Sequence, residues 1–246
     1  MAEVLQTSII EPNWPAPSNV HAIQTTRLGG VSLAPYDSFN LGAHVNDNPN
    51  HVAHNRQLLN GLVPTEPVWL NQVHGVHVID AGVSSHIENA DASFTTENNV
   101  VCVTMTADCL PVLLSDKTGT VVAAIHAGWR SLCDGVIEKT INAMPVDSNQ
   151  LVAWLGPAIG PDAFEVGAEV RLQFIEKDEQ AEYAFKPSGE QWLGNLYLLA
   201  KQRLQSLGVK DVYGETLCTY ANPDRFFSFR RDGDAGRMAT MIWLTD

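Results

Sequence analysis

His74, Cys109 and His126 are the residues of this sequence whose types are best suited to chemistry at a metal. Zinc takes thiolate sulfur and imidazole nitrogen in a tetrahedral shell, and catalytic sites keep three protein ligands so that water or substrate fills the fourth position. A Cys-His-His set matches that pattern. The three are too widely spread along the chain for finger-like spacing, so a metal bound here would cap a preformed fold rather than nucleate one. Spacing alone does not select them, because a single histidine is more often a surface or satisfied core residue than a ligand. A thiolate beside imidazole is also a nucleophile, which leaves a metal-free cysteine hydrolase built on Cys109 with His126 or His74 as a second reading.

Each of the three is expected at the end of a strand, where a sheet can deliver it to one edge. Residues 68–73 and 76–79 are β-rich runs that meet at His74-Gly75, and a glycine in a strand pattern marks a tight turn. Residues 100–106 (VVCVTMT) suit a buried strand that ends in Ala107-Asp108-Cys109, with Pro111 expected to interrupt the sheet beyond it. Residues 112–115 and 120–125 read as a hairpin around Asp116-Lys117-Thr118-Gly119, and His126 follows its second strand before a helix. That helix carries Leu132, Val136, Ile137, Thr140 and Ile141 at helical spacing.

Further strands are expected at 20–26, 151–155, 226–230 and 238–244, with helices at 49–59, 165–177 and 195–207. Strands and helices mix without strict alternation. The expected fold class is therefore α+β, with mixed sheets and flanking helices layered in a single domain over residues 1–246 and the metal site at strand ends.

The chain has 246 residues, 45% of them apolar, enough to bury a sizeable core. Its 15 basic residues against 28 acidic ones give a net charge of −13, which removes long-range attraction to phosphate backbones. Nucleic acid and anionic membrane surfaces are excluded as expected partners. No stretch approaches the roughly 18–20 apolar residues of a membrane span, and the amino terminus lacks the pattern of a secretory signal. The four cysteines, at 102, 109, 133 and 218, form no CxxC pair and suit a reducing compartment, so a cytoplasmic location is expected.

Three words surround the candidate ligands: Gln72-Val73-His74-Gly75, Ala107-Asp108-Cys109-Leu110-Pro111 and His126-Ala127-Gly128-Trp129-Arg130. With Thr26-Arg27-Leu28-Gly29-Gly30-Val31-Ser32, Asn40-Leu41-Gly42, Gly156-Pro157-Ala158-Ile159-Gly160, Phe226-Phe227-Ser228-Phe229-Arg230-Arg231-Asp232 and Gly236-Arg237, they run in one order through nearly the whole chain. Together they resemble the bacterial YfiH-type laccase-domain family, whose members are described as purine nucleoside phosphorylases. The resemblance implies that His74, Cys109 and His126 bind zinc. It also implies phosphorolysis of adenosine, inosine, guanosine and S-methyl-5′-thioadenosine, with adenosine deamination as a second activity. Purine nucleosides and phosphate are then the expected partners; monomer and homodimer both stay open. Two positions depart from the family's habit: Ser131, where Gly is common, and Phe229, where Tyr is frequent.

Within that resemblance the remaining residues take expected roles. Asp108, beside Cys109, is either a proton shuttle or a turn-forming aspartate. Arg27 and Arg130 lie near glycine-containing turns and can present a planar donor fork to phosphate, the alternative being a structural carboxylate pair. Arg230 and Arg231 join them through their motif, and Gln72 and Asn40 are expected to hydrogen-bond a base or ribose. The family's older label, polyphenol oxidase, makes copper a possible cofactor. Four-copper oxidases need many histidines, however, and this chain has eight. A role in editing peptidoglycan precursors is a further reading that the resemblance carries.

Overall fold

The computed structural model describes residues 8–84, 86–214 and 217–246. Along the chain the elements are β1 (Ile9–Ile10), β2 (Val20–Thr25), α1 (Pro49–Leu58), β3 (Val78–Asp80), β4 (Ala92–Thr95), β5 (Cys102–Thr106), β6 (Leu110–Asp116) and β7 (Val122–Ala127). There follow α2 (Trp129–Asp134), α3 (Val136–Ala143), β8 (Leu151–Leu155), β9 (Glu165–Val166), α4 (Ala168–Lys177), β10 (Phe185–Ser188) and β11 (Gln191–Gly194). The chain closes with α5 (Leu196–Ser206), β12 (Asp211–Tyr213), α6 (Phe229–Asp232) and β13 (Met238–Leu244).

A six-stranded sheet in the order β12-β8-β6-β7-β4-β3 forms the centre, a four-stranded sheet β1-β2-β13-β5 packs on it, and β10-β11-β9 make a small third sheet. Period-two side-chain alternation decides what each face meets. Leu110, Val112 and Leu114 of β6 and Ala123 and Ile125 of β7 face Val136, Ile137 and Ile141 of α3 and Leu199, Ala200 and Leu204 of α5. The alternate residues Leu113, Val122, Ala124 and Trp154 meet Cys102, Ile242 and Leu244 of the four-stranded sheet. Val103, Met105, Met241 and Trp243 then cover Phe39, Leu41, Leu59 and Trp69 on the far side. The result is the layered α+β arrangement expected, helices on sheet on sheet, with each large buried side chain worth about 1.5–3 kcal/mol of burial. His126 shares the parity of Val122 and Ala124, so its ring points into the space between the sheets rather than into the helix layer.

Four expectations change. Residues 68–73 form no strand; Val68 and Asn71 make single bridges to Cys102 and Asn89. Here a side chain replaces a ladder, because the Gln72 amide donates to Met105 O and accepts from Met105 N at 2.8 and 2.7 Å. Pro111 does not interrupt the sheet but lies inside β6, opposite His126; pairing with β8 begins only at Val112, so its missing N–H falls at the strand's start. The helix after His126 is broken at Gly135, whose φ of 97° ends α2 before α3 begins. Residues 226–230, expected as a strand, lead instead into the helical turn α6, which Ser228 caps by accepting from the Arg231 N–H.

Candidate metal centre

Cys109 stands in the turn between β5 and β6, and His126 is the penultimate residue of β7, antiparallel to β6. Their approach follows from that register. His74 comes from the separate loop before β3 and carries a left-handed backbone, with φ 57°, which non-glycine residues adopt at a cost. One donor atom from each of His74, Cys109 and His126 lies within 4.8 Å of the others, so the three form a group able to hold a metal ion. Cys109 Sγ is 3.7 Å from His74 Nε2, and the two imidazole rings meet edge to face at 4.7 Å. Gly128 makes this approach possible: a Cβ there would sit 2.8 Å from His74 Cδ2 and 3.1 Å from Cys109 Sγ.

Asp91 holds the two histidines together. It directly precedes β4, whose pairing with β7 puts Ala92 opposite Ile125 and brings Asp91 against His126. Fully buried, its carboxylate accepts from the backbone N–H groups of Val73, His74 and Gly75 at 3.3, 3.0 and 2.6 Å, fixing the strained turn. The same carboxylate accepts from His126 Nδ1 at 2.8 Å, which leaves His126 Nε2 facing the cluster. Burial pushes the Asp91 carboxyl up, but the hydrogen bonds from His126, Gly75 and Val73 win and hold it below the ordinary carboxylate range.

Cys109 and His126 pull each other into charged forms. Burial pushes the Cys109 thiol up, yet the His126 and His74 rings outweigh it and bring the thiol down to about 6. Burial pushes the His126 imidazole down, while Cys109 and Asp91 more than offset that and raise it to about 9. A thiolate and an imidazolium therefore face each other near neutral pH, where a cation can replace the shared proton.

The cluster opens into a cavity of about 470 Å³. Its walls carry the apolar side chains of Met105, Trp129, Ile159, Phe164, Leu196 and Phe229, and the cations Arg130, Arg230 and Arg237. That mixture of flat apolar surface and a few convergent polar groups is the usual makeup of a small-molecule site.

A family model described as "Multi-copper polyphenol oxidoreductase laccase" matches residues 21–245. The chain belongs to that family. Similar relatives are the purine nucleoside phosphorylase YfiH of Shigella flexneri, 52% identical over 97% of this chain and 99% of its own length, and its counterpart in Escherichia coli strain K12, 51% identical over the same shares. A Neisseria meningitidis protein solved by crystallography is 47% identical and superposes with a TM-score of 0.95, covering 97% of this chain and 100% of its own.

Other residues expected at the laccase-domain site divide into two groups. Gln72, Asp108, Arg130 and Arg230 line the cavity with the three metal-type ligands. Asp108, buried and at φ 95°, spends both carboxylate oxygens inside the protein, accepting from Thr219 Oγ1 at 2.6 Å and Arg230 N at 2.7 Å. It pins α6 to the Cys109 turn. Arg130 stacks its guanidinium 4.3 Å from the Trp129 ring and makes no hydrogen bond to the described residues. Arg230 donates to Glu165 O at 2.8 Å and lies over Phe164. Arg27 and Asn40 are not in the cavity wall. The Arg27 guanidinium is taken up by Asp37 and by Pro223 O, and Arg231 by Asp232 and the carbonyls of Thr219, Tyr220 and Phe226. Asn40, fully buried, accepts from the N–H groups of Gly42 and Arg237 and donates to Asp47.

Asp91, His44 and Arg237 are the site residues that motif reading passed over. His44 lines the cavity; desolvation at the cavity wall and then the charges of Arg237, Arg56, His126 and His74 push its imidazole down to about 4, so it is neutral at pH 7. Asp91 has no motif of its own, and only the β4–β7 pairing reveals it. Arg237 was visible in the pair Gly236-Arg237. Of the two departures, Ser131 is buried in α2, whereas Phe229 stands in the cavity wall.

Proposed function

We propose that this chain, as one catalytic domain, is a zinc-dependent purine nucleoside phosphorylase of the cytoplasm acting on adenosine, inosine, guanosine and S-methyl-5′-thioadenosine, with adenosine deamination at the same site. The observation that carries the reading is the joining, in one cavity, of a Cys-His-His donor group, apolar walls and three arginines. The names of relatives about half identical along nearly the whole chain support it.

The donor set fits zinc. In a tetrahedral shell with ordinary bond lengths, sulfur and nitrogen stand about 3.6 Å apart, and Cys109 Sγ and His74 Nε2 are 3.7 Å apart. Zinc held by His74, Cys109 and His126 would supply Lewis acidity at an open fourth position. The chain's own groups account for the rest. Trp129, Phe164 and Phe229 offer faces against which a purine packs, while the arginines draw phosphate in and neutralise it. In phosphorolysis a phosphate oxygen bonds to C1′ as the C1′–N9 bond breaks, and the electron pair leaves with the purine, which takes up a proton. In deamination a water oxygen bonds to C6 and the amine leaves as ammonia.

Asp108 serves this chemistry first as a brace, since each of its oxygens accepts one hydrogen bond from within the protein, from Thr219 Oγ1 and Arg230 N. The depressed Cys109 thiol beside His126 favours one rival, a cysteine hydrolase. Copper oxidation of phenols draws less support: among the described residues, the Cys-His-His cluster is the one group of its kind. The test is elemental analysis of purified protein with a nucleoside panel assayed with and without phosphate. Stoichiometric zinc, phosphate-dependent base release and ammonia from adenosine are expected. Full phosphorolysis by metal-free Cys109→Ala protein would overturn the reading, and a trapped acyl-enzyme would install the hydrolase instead.

A further inference from the structure

Two of the linked motifs, Asn40-Leu41-Gly42 and Gly236-Arg237, have no place in the metal group, and both converge on one side chain. Asn40 Oδ1 accepts the backbone N–H of Arg237 at 2.8 Å and that of Gly42 at 2.9 Å. A Cβ on Gly42 would lie 2.7 Å from Arg237 Cγ and 3.1 Å from its Cβ, atoms that cannot swing aside as a side-chain tip can. A Cβ on Gly236 would strike the Phe227 ring at 2.6 Å and Asn40 Cβ at 3.0 Å. The chain thus gives up two side chains and commits a buried amide to set the path of Arg237.

The guanidinium so placed is half-buried in the cavity wall and has no counter-ion among the described residues. Among the described residues no carboxylate comes within ion-pair distance of it, whereas Arg27, Arg171, Arg203 and Arg231 each have one. Its hydrogen bonds to the described residues run from Nη1 to the carbonyls of Ala235 and Gly236, at 2.7 and 3.2 Å. Among the described residues Nε and Nη2, the side-on edge of the fork, find no partner. Burial pushes this guanidinium down, opposed chiefly by the fields of Cys109 and Asp108, which line the same cavity. A partly desolvated charge without a partner is costly unless a ligand supplies the opposite charge. A side-on arginine edge matches two oxygens of a tetrahedral oxyanion.

We propose that Arg237 binds the anionic co-substrate, its Nε and Nη2 taking two oxygens of inorganic phosphate beside the metal group, with Asn40 and Gly42 as its positioning residues. The identity of the anion rests on the phosphorylase reading; the presence of an oxyanion subsite rests on the geometry alone. Arg130 and Arg230, both exposed, then serve attraction and the outer part of the ligand.

The test uses metal-loaded full-length protein and inorganic phosphate as the probe. Phosphate affinity is measured by calorimetry, and KM for phosphate is separated from kcat with inosine as substrate. Arg237→Gln should weaken phosphate binding and raise KM for phosphate by about tenfold or more, with bound metal unchanged. Gly42→Ala, which keeps the guanidinium but displaces it, should shift KM for phosphate in the same direction. Unchanged phosphate affinity in both variants overturns the proposal, as does wild-type protein that binds adenosine 5′-monophosphate but not inorganic phosphate. The two readings fail differently. Phosphate binding that depends on Arg237 without release of base from any nucleoside removes the phosphorylase and keeps the subsite; phosphorolysis indifferent to Arg237 removes the subsite and keeps the phosphorylase.

Discussion

Asp91 Oδ1 accepts the Nδ1–H of His126 at 2.8 Å, and the same carboxylate holds three consecutive backbone N–H groups of the loop that presents His74. One buried side chain therefore sets the ring orientation of one candidate ligand and the backbone of another. Asn at this position keeps the shape but turns one acceptor into a donor that faces other donors. Asp91→Asn should weaken metal binding by about 10–100-fold, measured by competition with a chelator. Asp91→Ala should in addition lower stability by about 1–3 kcal/mol, because buried amide donors lose their acceptor. Metal affinity within twofold of wild type in both variants would show that the histidines hold their places without it.

The charged pair at the site makes metal binding pH-dependent in a defined way. Bound metal requires thiolate at Cys109 and neutral imidazole at His126. Between about 6, where Cys109 ionises, and about 9, where His126 gives up its proton, the metal-free protein already has the thiolate but still holds the His126 proton. Metal binding in that window should release one proton from this pair, with affinity rising about tenfold per pH unit. Below about 6 the Cys109 proton must leave as well, and the slope steepens; above about 9 the pair contributes no slope. A plot of the logarithm of affinity against pH, corrected for metal hydrolysis and buffer binding, reads this directly. A flat profile from pH 6.5 to 8.5 would contradict the ion pair.

Gly128 gives a test of geometry that alters no ligand. Its absent Cβ leaves room for His74 Cδ2 and Cys109 Sγ, at 2.8 and 3.1 Å from where that atom would stand. Its φ of −60° is open to alanine, so the substitution strains contacts rather than backbone. Gly128→Ala should loosen metal binding by about tenfold or more, an expected loss of about 1.4 kcal/mol, while circular dichroism stays native. Cys109→Ala should abolish metal retention and turnover together. Were Gly128→Ala to keep wild-type metal affinity, the three donors would have to meet in another arrangement.

Much of this site is legible in the chain because its candidate ligands sit in distinctive words, and two of them, Cys109 and His126, at predictable strand ends. Cys109 follows a run of β-branched and apolar residues, and His126 closes a hairpin whose turn is plain in the sequence. Asp91 shows the limit. It lies in an undistinguished stretch, and its role comes from pairing between β4 and β7, a long-range register that no local pattern encodes. Asn40 shows another: an amide in a motif reads as a substrate contact, but it is spent on Gly42 and Asp47 nearby and on the Arg237 backbone N–H nearly two hundred residues away. Pro111 and the 226–230 segment mislead for a third reason. Local propensity is weaker than the neighbouring sheet in one case and than the acceptors Ser228 Oγ and Asp108 Oδ2 in the other.

Arg27 and Arg130, read alike from sequence, should behave oppositely. Arg27 donates to Asp37 and Pro223 and packs 4.9 Å over the Phe227 ring, so its side chain ties together distant loops. Arg130 is exposed, stacked on Trp129, and makes no hydrogen bond to the described residues. Arg27→Ala should therefore cost about 1–3 kcal/mol of stability by loss of charged hydrogen bonds and packing, with kcat/KM of the folded enzyme nearly unchanged. Arg130→Ala should leave stability within about 0.5 kcal/mol and lower kcat/KM for nucleoside and phosphate. Thermal unfolding and steady-state kinetics on the same preparations separate the two effects. If Arg27→Ala instead unfolds like wild type and loses activity, its hydrogen bonds to Asp37 and Pro223 must yield to substrate, and the division of the arginines drawn from the structure fails.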